Sequence, residues 1–208
     1  MDIVIDGKRG LVGVGSGGTF AGIFETIQKF CASKGRIITS VSLDGKELSA
    51  GRREALKAVA SDGKSVLQVV TADAREFSLG TLEELDSLVA QLEKLHEATS
   101  GHVIAGAYRD AMLQAEGCFQ GWQMLIGTVR DLGVLLNVNF TTLQVGGQSV
   151  DARFVRVMVA FQKFTDAFAR QDGVRLGDII QHELRPLLAD WRTVIDALRR
   201  PAGGGKAS

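Results

Sequence analysis

Near residues 72–77 the spacing of apolar residues changes along this chain. Before that point alternating residues and short β-rich runs flank one helical stripe at residues 20–31 and a short helix over 52–60; after it apolar residues recur about every 3.6 positions. A strand-forming segment therefore precedes a helix-forming one, and the pattern predicts an α+β chain.

The strongest helical stretch is residues 118–136. Cys118, Phe119, Trp122, Leu125, Ile126, Val129, Leu132 and Leu136 form its main stripe. Gly117, Gly121, Met124, Thr128, Leu132 and Leu135 lie beside it, small at one end and apolar at the other. A helix apolar over more than half its circumference is central to its domain or carries an interface. Gly117, Gly121, Met124, Thr128 and Leu135 are therefore the candidate interaction residues, a face for the N-terminal module or a second copy of the chain.

Around this stretch the pattern predicts about four helices packed as an antiparallel bundle over residues 78–200. Thr81 and Glu84 have capping-box spacing, and Leu82, Leu85, Leu88, Val89, Leu92 and Leu95 follow on one face. Thr99, Ser100 and Gly101 are expected to break that helix. A later helix carries Val150, Phe154, Val157, Met158, Phe161, Phe164, Thr165 and Phe168; the last carries Leu176 to Leu198, with Pro186 expected to make part of it irregular. Residues 201–208 read as a disordered tail.

Residues 1–77 read differently. Ile3 and Ile5 alternate with polar residues up to the turn pair Asp6-Gly7, and Leu11, Val12 and Val14 suggest a second strand. Thr19 can cap a helix carrying Phe20, Ile23, Phe24, Ile27, Phe30 and Cys31. Residues 36–43 and 65–71 are β-rich, with a short helix expected over 52–60. This order resembles a β-grasp (ubiquitin-like) module, a small mixed sheet curled over one helix. The resemblance implies a fold and no activity.

Twenty-four basic and 24 acidic residues cancel, which gives no basis for nucleic acid or an anionic membrane as partner. Two cysteines without a CxxC pair predict buried thiols in a reducing compartment. The first residues lack a signal-peptide layout, and no run reaches the roughly 18 apolar residues of a membrane span. The expected location is cytoplasmic.

Gly13, Gly15, Gly18 and Thr19 carry the sharpest local motif, GxGxxG between a strand and a helix. There a backbone can approach a phosphate at a helix N-terminus, and Asp44 lies about where a ribose-binding acid belongs. The stretch is also similar to the phosphate loop of the cysteine-synthase family of pyridoxal-phosphate enzymes. That family places its cofactor lysine before the loop, and only Lys8 stands there. No cofactor is assigned.

Glu93 and His96 supply one Glu-x-x-His, where a bundle metal pair needs two with further carboxylates. His182-Glu183 is followed by Pro186 rather than a zincin histidine, and Ser16 is not in GxSxG. No catalytic residue and no metal ligand is assigned. Gly146-Gly147, Gln171-Asp172-Gly173, and Leu184 with Trp191 resemble the second half of flagellin-type export chaperones. That resemblance implies a bundle that holds a partner helix or chain. The expected function is a non-enzymatic interaction module (adaptor, scaffold or chaperone-like), with a nucleotide- or phosphate-binding protein as the alternative.

Overall fold

The computed structural model describes residues 1–13, 19–60 and 63–203. The chain divides into two compact units, Met1–Phe77 and Ser78–Ser208. The architecture is α+β, a β-grasp-like sheet module followed by a helical bundle.

The first unit contains β1 (Asp2–Ile5), β2 (Lys8–Arg9), α1 (Phe20–Ser33), β3 (Arg36–Leu43), β4 (Lys46–Glu47), α2 (Ala50–Leu56) and β5 (Val66–Asp73). The strands form one sheet in the order β2-β1-β5-β3-β4, with β1 parallel to β5 and the other pairs antiparallel. Alternate residues Ile3, Ile5, Leu67 and Val69 bury against Phe20, Ile23, Phe24, Ile27 and Cys31 of α1.

β5 is held at both ends by turn aspartates. Asp6 and Asp44 sit at φ 49° and 50°, each before a glycine at φ 77°. Two successive residues with positive φ match the right-handed twist of a two-residue hairpin. At one end Asp6 accepts from the Thr71 amide at 2.8 Å and from its hydroxyl at 2.6 Å. At the other, Asp44 accepts from the Val66 amide at 2.8 Å. Arg36 completes the first clamp, donating to the Thr71 hydroxyl and lying 3.3 Å from Asp6. The Thr71 hydroxyl holds the Asp6 carboxyl below its usual range, despite partial desolvation.

One expectation is corrected in this unit. β2 begins directly after Asp6-Gly7, because Ile5 pairs with Lys8 and Val4 with Arg9; it ends before Gly10, at φ 71°. Leu11 and Val12 are therefore outside it, and Val14 lies outside the described residues. Asp44 is a turn clamp on β5.

The second unit is built from α3 (Ala74–Ile104), α4 (Tyr108–Leu135), the hairpin β6 (Gln144–Val145) and β7 (Gln148–Ser149), α5 (Val150–Ala169), α6 (Gly173–Ile179), a π turn (Ile180–Leu184) and α7 (Arg185–Ala202). α3 starts at Ala74 rather than Thr81. The Asp73 carboxylate accepts from the Arg75 and Glu76 amides and caps it, so the Thr81/Glu84 box lies inside the helix. Thr99 does not end it either, since its hydroxyl donates to the Leu95 carbonyl at 2.8 Å. The chain turns at Gly106, φ 72°.

Pro186 has the expected effect. The Arg185 amide donates to the Ile180 carbonyl, a five-residue step that widens the helix just before a residue with no N–H. The tail expectation fails at its start. Pro201 and Ala202 end α7 with Ala202 buried; residues 204–208 lie outside the described set.

Candidate functional site

Trp122 of α4 organises the interior of the bundle. Its ring lies 6.2 Å from Phe161 of α5 and 6.5 Å from Trp191 of α7, both edge-on. Phe119, Phe164, Phe154 and Phe140 extend the row in both directions. The Trp122 indole donates to His96 Nε2 at 3.1 Å. His96 is fully buried, and burial, aided by the nearby Arg185 charge, lowers its pKa to about 4. The ring is neutral at pH 7, with Nδ1 carrying the proton.

Cys118 lies 3.6 Å from the Thr99 hydroxyl, and burial pushes its thiol up to about 11. Burial also raises Cys31, in the first unit. Nucleophilic thiols and general acid–base histidines need shifts toward neutrality. These groups are shifted the other way. Among the described residues no cluster of His, Cys, Asp or Glu is placed to hold a metal ion. Glu93, beside His96 in sequence, is bonded instead to Arg192 at 2.8 Å.

The exposed side of α5 carries an apolar patch among polar residues such as Arg156, Gln162 and Lys163. Val155, Met158 and Val159 stand 63 %, 52 % and 53 % exposed at helical i, i+3, i+4 spacing. Met158 also lines a groove of about 320 Å³ between α4 and α5, shared with Phe119, Ile126, Gly127 and Arg130. Sequence periodicity placed Met158 in the buried stripe. The core instead takes Arg153, Ala160 and Ala167 with Phe154, Val157, Phe161 and Phe164, a face centred further round the helix. Arg153 is drawn in by polar partners: its guanidinium donates to the Val145 carbonyl and lies 3.2 Å from Asp190. That recentring leaves Met158 outside. The i, i+3, i+4 set was legible, but the Phe-rich stripe beside it dominated the pattern.

The candidate residues on α4 divide. A Cβ on Gly121 would lie 2.7 Å from Leu92 Cδ2 of α3, and one on Gly117 would lie 3.8 Å from Leu95. The small end of that face is thus a helix crossing inside the unit. Leu135 packs against the same core, Thr128 is half-buried, and Met124 is exposed. Of the loop residues, Gly15 and Gly18 lie outside the described set. Gly13 has open space where a side chain would stand, and the Thr19 hydroxyl accepts from the Gly22 amide as the cap of α1.

A family model described as Domain of unknown function (DUF8042) matches residues 80–194, just over half of the chain. No curated protein and no solved structure matches it.

Proposed function

Because this chain belongs to the family described as a domain of unknown function (DUF8042), whose match lies within the helical unit, we propose a function read from the bundle itself: a non-enzymatic protein–protein interaction module. The observation that carries it is the exposed apolar stripe of Val155, Met158 and Val159 beside the α4–α5 groove. Three large apolar side chains held side by side on one helix are surface that association with another protein removes from water. The inert shifts of His96, Cys118 and Cys31 support the same reading, since they withdraw those groups from chemistry at neutral pH. A role as adaptor, scaffold or chaperone-like holder is the class of activity such a face serves. No helix among the described residues is long and apolar enough to cross a membrane.

The test is capture with the full chain followed by cross-linking. One stoichiometric protein partner, cross-linked along α5 and lost from Met158→Glu, is the expected result. A nucleotide or phosphate ligand at residues 13–19 is the competing outcome. Saturable thermal stabilisation by ATP or NAD, abolished by Gly15→Val or Gly18→Val, with no partner retained, would overturn the interaction reading.

A further inference from the structure

The N-terminal unit presents a different kind of surface. β3 pairs with β5 from Arg36↔Asp73 to Leu43↔Leu67. On its other side β4 covers only Ser42 and Leu43, and the Leu48 amide donates to the Val41 carbonyl at 2.8 Å. Residues 36–40 thus have no strand on their outer edge among the described residues. Five residues of strand extend about 17 Å. A row of backbone donors and acceptors of that length is complemented by another extended backbone.

This stretch borders a groove of about 730 Å³ between α1 and β3. Phe24 and Cys31 of α1, with Ile38 and Val41 of β3, give it apolar lining, and Arg53 of α2 and Lys57 just after it add charge. Most of its charges are already matched. Glu25 is bonded to Lys29 and Glu54 to Lys57, each at 2.6 Å, and Arg36 is held by Asp6. Arg53 is left as the groove cation without an ion pair among the described residues, since Glu25 and Glu54 are taken by Lys29 and Lys57.

The edge geometry selects between occupants. At Thr39 the register slips by one residue, since Ile38 faces Thr71 while Ser40 faces Val70. Such a bulge twists and bends the edge, which opposes rigid pairing of two sheets; a flexible segment can follow it. A second copy would also bring another unmatched Arg53, where an acidic segment brings the complementary charge.

We propose that the β3 edge and the α1–β3 groove bind an extended peptide segment of a partner protein, with alternating apolar residues and an acidic residue for Arg53. The segment adds to the sheet as a further strand. Its alternate side chains enter the groove, and its carboxylate pairs with the guanidinium.

A displayed library of short random peptides, selected on the full chain, tests this. The expected winner alternates apolar residues, carries Asp or Glu, and slows amide exchange within residues 36–40. Arg53→Glu should weaken it about tenfold. Ala32→Arg, which fills the groove from the exposed side of α1, should abolish binding. Met158→Glu should leave binding unchanged, so the α5 reading and this one fail separately. The proposal is overturned if no peptide is retained, if the winners have helical spacing or protect α5, if the edge is protected by dimerisation, or if both groove substitutions leave affinity unaltered. Protection measured on the unsubstituted chain decides the matter even if a variant fails to fold.

Discussion

In the sheet unit the carboxylates that shape the fold sit at turns and reach for backbone amides: Asp6 holds Thr71, and Asp44 holds Val66. In the helical unit side chains also meet side chains across helices. Trp122 bonds His96, and Arg153 lies against Asp190. The difference follows from where each architecture leaves its backbone groups. A sheet has ends and edges whose amides need partners, so short polar residues at tight turns can supply them. A helix satisfies its own interior amides, so buried polar groups must find one another across helices. One unit therefore leaves a stretch of sheet edge without a strand beside it among the described residues, and the other leaves an apolar stripe.

This contrast can be broken most severely at His96. The folded pKa of about 4 lies below the usual 6.5, so the unfolded chain binds the proton more readily between those values. The stability contribution of the neutral ring is complete above pH 6.5 and falls as pH drops toward 4, by up to about 3 kcal/mol. Urea unfolding followed by tryptophan fluorescence reads this unit directly, because both tryptophans, Trp122 and Trp191, lie in it. His96→Gln keeps an acceptor for the indole and removes the titration. A pH dependence unchanged in that variant would assign the acid sensitivity elsewhere.

A smaller effect is expected at the helix crossing. Gly121→Leu forces a side chain onto Leu92 and should cost about 1–3 kcal/mol, while exposed Gln123→Leu should stay within about 0.5 kcal/mol. Equal melting temperatures would show that α3 and α4 can part at this point without loss.

A smaller loss than at Gly121 is expected at the sheet clamp. Asp6→Asn keeps an acceptor and tolerates positive φ, but loses the charge that meets Arg36 and Thr71, about 1 kcal/mol. Faster exchange of the Thr71 amide is the readout. Its lowered pKa means the native clamp is present above pH 3.8 and weakens as pH falls through the folded value. Exchange at Thr71 that ignores the substitution would place the hold on β5 elsewhere.

Periodicity and turn residues determine much of this molecule. The change of period near residue 77 separates sheet from bundle, Asp-Gly pairs mark the hairpins, Thr19 caps α1, and Pro186 marks an irregular turn. These are local effects, governed by φ, by a missing N–H or by a side chain reaching a few residues along the chain, so they can be read without a partner element. Tertiary structure decided the rest. Asp73 replaced Thr81 as the cap because β5 delivers the chain into α3 directly. Arg153 entered the core because Val145 and Asp190 meet it there, and Met158 was left outside. His96 became a buried acceptor because α4 sets Trp122 against it. The Arg153 and His96 outcomes depend on groups far away in sequence, Asp190 and Trp122, and composition and spacing hold no record of which distant group that will be.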